Sequence, residues 1–76
     1  MNKQEFCNIL QKELGEETTI SPETNFKELD SFGSLSLVLV LQLVENQFDV
    51  KLNPRGFRSV QTVNDIANLV GPEKLS

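Results

Sequence analysis

The segment SLSLVLVLQLVENQF, residues 34–48, decides how this chain folds, because it is the most apolar run and its pattern can be read two ways. Its opening alternates like a strand, and Val38 and Val40 are β-branched, which suits a pleated surface. The segment is longer than a common strand, however, and nothing else in the chain reads as a second strand to pair with it. A helix is therefore expected over 34–48. Being apolar almost all round, it is expected to bury one side in a core and to have the other side covered as well. The apolar stretch within it, Leu35 to Val44 with Ser36 and Gln42 interrupting, falls short of the about 20 residues that cross a bilayer.

Two further helices flank it. In KQEFCNILQKEL, residues 3–14, Phe6, Leu10 and Leu14 recur four apart with Ile9 beside them, and Gly15 supplies a left-handed cap. Near the other end, Thr62 and Asp65 make a capping-box pair ahead of Val63, Ile66, Ala67 and Val70, and Gly71 and Pro72 stop the helix. Between the first two helices, EETTISPETNFKELD, residues 16–30, has no period and reads as a long ordered loop pinned by Ile20, Phe26 and Leu29. The connector DVKLNPRGFRSV has room for one short helical turn near residues 55–59. The expected fold is all-α: a small bundle of three main helices with a long first loop, in a single domain spanning residues 1–76.

Composition narrows the chemistry. Eleven acids against seven bases give a net charge of −4, which argues against a nucleic-acid partner, since phosphate neutralisation needs clustered Lys and Arg. The chain has one cysteine and no histidine, so it holds no internal disulfide, no cysteine-cluster metal site and no common general base. Cys7 reads as a small residue on the first helix. No metal site is expected, because the acids Glu13, Glu16 and Glu17 have no calcium-loop spacing and serve solubility. Lys51, Arg55 and Arg58 read either as a solvated loop or as a small anion-binding patch. With a polar N-terminus and no membrane span, the expected setting is a reducing cytoplasm. Catalysis by the chain's own side chains is not expected.

The serines in LDSFGSLSL, residues 29–37, are the remaining candidates. A serine at a helix start caps the first backbone N–H groups, contributing about 0.5–2 kcal/mol. The same location suits a covalently attached phosphate, because free N–H groups and the positive end of the helix dipole face it. Composition leaves both roles open for Ser31 and Ser34.

Taken together, ISPETNFKELDS at 20–31, LVENQFDVKL at 43–52 and VQTVNDIANLV at 60–70 resemble, in order and spacing, the acyl carrier protein family with its peptidyl and D-alanyl carrier relatives. The resemblance implies a domain on which a separate phosphopantetheinyl transferase attaches 4′-phosphopantetheine, taken from coenzyme A, to a serine in an Asp-Ser-Leu triplet at the head of the second helix. The arm's thiol would then carry acyl or aminoacyl thioesters between loading and processing enzymes of fatty-acid, polyketide or related biosynthesis. The chain itself would be a monomer and not an enzyme. Its single domain, opening on Met, reads as a free-standing carrier.

Two texts compete for the triplet, DSF at 30–32 and GSL at 33–35. In the family the serine lies fourteen residues before the aromatic that closes the helix, here Phe48. Ser34 meets that spacing and Ser31 misses it by three. A helix headed by Ser31 would also hold Gly33 in its first turn, costing up to about 1 kcal/mol relative to Ala. Ser34 is the expected attachment point and Ser31 the second choice. Gly33, however, stands where the family has Asp, part of what the transferase recognises. Either the transferase tolerates glycine, the position has been altered, or the chain is a degenerate carrier that stays unmodified and acts as a helical interaction module.

The resemblance places the partner contacts on Gly33, Leu35, Ser36, Val38, Leu39, Gln42 and Glu45. The family's second helix carries acids that meet basic patches on partners, whereas here Glu45 alone keeps the charge. Docking through Val38 and Leu39 is then expected to be apolar and weakly salt-dependent, unless the long loop buries Leu39.

Overall fold

The computed structural model describes residues 1–76. It holds three α-helices, α1 (Lys3–Leu14), α2 (Ser34–Phe48) and α3 (Val63–Val70), with 3-10 turns at Phe26–Glu28 and Gly56–Ser59. The ambiguous segment is thus a helix along its whole length, and the short turn expected near 55–59 is present.

Each helix starts and stops where its side chains supply the missing hydrogen bonds. Asn2 caps α1, its Oδ1 accepting from the Glu5 N–H at 2.7 Å, and Gly15 ends it in the left-handed conformation at φ 67°. Thr62 and Asp65 form the reciprocal box at the head of α3: the Asp65 N–H donates to Thr62 Oγ1, and Asp65 Oδ2 accepts from Thr62 N–H and Gln61 N–H. At the foot of α2, Asp49 takes the left-handed conformation (φ 54°) and its N–H bonds to Glu45 O at 2.8 Å. Lys74 adds a second cap there, its Nζ donating to Phe48 O at 3.2 Å, which sets a cation against the negative end of the helix dipole.

The helix α1 packs against both α2 and α3, burying Phe6, Cys7 and Leu10 completely. Phe6 meets Phe48 of α2 edge-on, with ring centroids 5.4 Å apart. From α2 the core takes Val40, Leu43, Val44 and Phe48; from α3 it takes Val63, Ile66, Ala67 and Val70. Burial pushes the Cys7 thiol up to about 11, with a smaller contribution from the charge of Glu23, so it stays protonated at neutral pH.

The long first loop is ordered as expected, and more deeply than three apolar pins imply. Ile20 and Phe26 have no exposed surface and Leu29 packs against the core. Backbone bonds add to this: Phe26 N–H donates to Gln61 O at 3.0 Å, and Asn64 N–H to Pro22 O at 3.1 Å. The 3-10 turn at Phe26–Glu28, capped by Asn25 Oδ1, has no periodic signature in the sequence because it is a single turn. The C-terminal residues also return to the bundle: Leu75 is fully buried, and Lys3 N–H donates to Ser76 O.

One expectation fails. The second side of α2 is not covered: Leu35 is 79% exposed, Val38 48% and Leu39 40%. The physical reason is that α2 packs on α1 while α3 packs on α1 as well, so that the outer face of α2, with Leu35, Val38 and Leu39, is left exposed.

Leu41 is half-buried, whereas Val44 is completely buried, so the two respond differently to polar substitution. Val44→Asp leaves a carboxylate with no partner in the core, a change that costs about 3–5 kcal/mol when one member of a buried pair is lost. In so small a domain this is expected to abolish the cooperative urea transition, while Leu41→Gln leaves a folded, weakened protein.

Candidate functional site

Three serine hydroxyls lie within one turn of the head of α2, and the fold assigns them different surroundings. Ser31 is half-buried, and its Oγ donates to Glu16 Oε2 at 2.6 Å. Glu16 Oε1 in turn accepts from the Thr18 N–H at 3.1 Å, so one carboxylate ties the start of the long loop to its end. Ser36 is only 8% exposed. Its Oγ accepts from the Gly33 N–H at 2.9 Å and points toward Ser31 O at 3.4 Å, completing the helix cap from inside. Ser34 is exposed, and its hydroxyl takes part in none of these bonds.

Ser34 is the first residue of α2 and Gly33 is the cap residue, extended at φ −134°. The Ser36 N–H closes on Gly33 O at 3.0 Å, but the N–H groups of Ser34 and Leu35 have no acceptor in the chain. No acid occupies the first turn of α2. A phosphodiester on the Ser34 oxygen would therefore meet two free donors and the positive end of a four-turn helix, with no opposing carboxylate in that turn. The residues present fit a phosphate-linked arm.

Gly33 is not required by the backbone. Its φ is open to any residue, and a Cβ there meets no atom within 4 Å. An aspartate fits this position and could itself cap the helix.

The residues expected to contact partners divide in two. Gly33, Leu35, Val38, Leu39, Gln42 and Glu45 are all exposed, and Leu35, Val38, Leu39 and Gln42 follow one stripe at helical spacing from Ser34. The question over Leu39 is thereby answered: the long loop does not bury it. Ser36 is set apart from them, since its side chain faces the cap and is nearly buried. The usual capping box has Ser or Thr first and a longer polar residue three later; here glycine comes first and the serine third, which hides the signature in the sequence.

Sequence reasoning also missed Lys27. Its ammonium donates to Phe57 O at 2.8 Å and Arg58 O at 3.1 Å and lies 5.2 Å from the centroid of the Phe57 ring. This clamps the long loop to the 3-10 turn of the connector. Burial lowers its pKa from the ordinary lysine value, and the charge of Asp65 opposes that. A single lysine in a loop carries no signal of such a role.

A small helical bundle that offers one free hydroxyl at a helix head, beside an exposed apolar stripe, has the layout of a carrier of a covalently attached group. The family model for the phosphopantetheine attachment site matches residues 4–70, and the chain belongs to that family, whose members bind 4′-phosphopantetheine covalently. No curated protein and no solved structure matches it.

The Glu16 carboxyl titrates below its ordinary value, first because of the Ser31 hydroxyl and then the Thr18 N–H. A lowered carboxyl contributes stability that is present above the ordinary carboxylate range and is lost as pH falls through the lowered pKa. Ser31→Ala is expected to move the Glu16 midpoint, followed by carboxyl NMR titration, back up toward the ordinary value.

Proposed function

We propose that Ser34 is the attachment point of the 4′-phosphopantetheine arm, and that the chain presents acyl or aminoacyl thioesters for fatty-acid, polyketide or related biosynthesis. The observation that carries this reading is the difference between the three serines: only Ser34 is both exposed and free of internal hydrogen bonds. When bound, the arm supplies a terminal thiol that holds the cargo as a thioester. The chain's own residues do the rest. Ser34 offers its oxygen for the phosphodiester bond, the N–H groups of Ser34 and Leu35 are placed to receive phosphate oxygens, and the cap of Gly33 and Ser36 keeps the helix head fixed.

In this reading the chain acts as a carrier and not as an enzyme, as a cytoplasmic monomer forming a single domain over residues 1–76. It raises the local concentration of a bound intermediate at each partner, by the logic of any tethered ligand. Its partners are the phosphopantetheinyl transferase and the enzymes that load and process the cargo. They meet Gly33, Leu35, Val38, Leu39, Gln42 and Glu45.

A second reading is favoured by one specific observation, the glycine at position 33 where the resemblance implies aspartate. In it the chain stays unmodified, and the stripe of Leu35, Val38 and Leu39 binds a partner without the arm. Because the backbone accepts aspartate at 33, the two readings can be separated by one substitution.

Incubation with coenzyme A and a broad-specificity phosphopantetheinyl transferase is expected to add one phosphopantetheinyl group, read by intact mass. Ser34→Ala is expected to abolish the gain with the circular dichroism unchanged, and Ser31→Ala to retain it. A Ser34→Ala variant that unfolds, or one that is still modified, would rule out Ser34. Gly33→Asp is expected to fold with a stability equal to or a few tenths of a kcal/mol, roughly, above the parent, because it replaces a glycine cap by a carboxylate one. Modification of Gly33→Asp but not of the parent would locate the defect in recognition and favour the second reading for the natural chain.

A further inference from the structure

Charge is distributed unevenly around Ser34. Seven acids and three bases precede Ser31; from Ser31 to Val44 no residue is charged; and from Val50 to Asn64 the chain carries Lys51, Arg55 and Arg58 with no acid among them. Folding brings the neutral and basic segments to the same end of the bundle, where the acids are Glu16, held by Ser31, and Glu28 and Asp30 of the loop. The ring of Phe32, two residues ahead of Ser34, lies 5.8 Å from that of Phe26, and the Phe26 ring lies 6.2 Å from that of Phe57. Lys27 holds Phe57 O and Arg58 O, which fixes the turn that presents Arg55 and Arg58. Both arginines and Lys51 are exposed. Asp65, whose charge Lys27 feels, is committed to the backbone N–H groups of Gln61 and Thr62.

We propose that this end of the molecule docks a protein surface with an apolar floor and an acidic rim, Leu35, Val38 and Leu39 entering the floor while Arg55 and Arg58 meet the rim. The inference rests on the carrier reading and names the chemistry of its partners. It reverses the polarity that the family resemblance implies, in which acids on the second helix meet basic patches. It also revises the expectation drawn from α2 alone. Docking gains a salt-dependent component, supplied by the connector and carrying the opposite sign.

A protein partner is favoured over an anionic membrane on two grounds. The connector exposes three cations, fewer than the about 4–8 that make a lipid-binding basic cluster, and the net charge of −4 repels an anionic surface. The patch is also continuous with Ser34, which a transferase has to reach.

The test uses the full chain, coenzyme A and two phosphopantetheinyl transferases chosen as probes, one with an acidic and one with a basic carrier-docking surface. Modification is followed by intact mass. With the acidic-surface transferase, the Arg55→Glu/Arg58→Glu double variant is expected to lower kcat/KM about tenfold at about 20 mM salt, the gap closing to about twofold at about 0.5 M. With the basic-surface transferase the same variant is expected to raise kcat/KM. Leu35→Ser is expected to lower it with the acidic-surface probe at both salt concentrations. No change with either probe, or a change of the same sign with both, overturns the inference. Pelleting of the parent chain with vesicles of equal phosphatidylglycerol and phosphatidylcholine, lost in the double variant, would assign the surface to a membrane and overturn it as well. Failure of both transferases on the parent and on Gly33→Asp has a different meaning: it removes the carrier reading, and the docking inference falls with it.

Discussion

The burial of one ring, Phe26, holds the working end of this molecule together. The ring has no exposed surface and touches Phe32 on the approach to α2 and Phe57 in the connector. Its backbone N–H is bonded to Gln61 O, just ahead of α3, and the next residue, Lys27, clamps the connector turn. Two stretches far apart in sequence, the end of the long loop and residues 57–61, are thereby fixed to one another by a single side chain and its neighbours. A long loop is costly to order, and its closure becomes favourable only when such buried contacts exceed the lost chain entropy. The position of Ser34 is a consequence of that closure, because the loop delivers the helix head.

The elements that the sequence made legible are those with periodic or capping signatures. Gly15, the Thr62 and Asp65 box and the Gly71 stop each act within a few residues, so local pattern is enough to find them. The identity of α2 rests on its length, greater than a common strand, and on the absence of a pairing strand, the second a non-local argument. The cover over its outer face could not be judged this way, since nothing in residues 34–48 encodes where α1 and α3 will pack. The same limit applies to the site. Spacing to Phe48 separates Ser34 from Ser31 on paper, but the bond from Ser31 to Glu16 and the inward turn of Ser36 depend on the folded loop. Lys27 was invisible for the same reason: its partners are carbonyls about thirty residues away, and every residue has a carbonyl.

The outer face of α2 follows from size. A chain this short cannot cover both sides of an apolar helix, since surface grows relative to volume as domains shrink. Burying Val40, Val44 and Phe48 on one side commits Leu35, Val38 and Leu39 to the other. Scattered exposed apolar residues are ordinary; these three instead form a contiguous stripe beside the exposed Ser34 hydroxyl, which is why the stripe is the surface proposed for partners. The acid excess in the first thirty residues keeps the molecule soluble while leaving this stripe free of charge.

Gly33 gains its meaning from this arrangement. Its φ does not need glycine, no neighbour approaches closely enough to exclude a side chain, and its own N–H is already satisfied by Ser36 Oγ while the N–H groups of Ser34 and Leu35 stay open. Stability therefore gives no reason for glycine, and aspartate would cap the helix at least as well. What an aspartate would change is the electrostatic character of the helix head: it would place a negative charge beside Ser34, in a stretch that from Ser31 to Val44 has none. Glycine at this position leaves α2 without charge through Val44 and adds no acid to those already present at Asp30 and Glu16, which favours an acidic-rimmed partner over a basic-patched one.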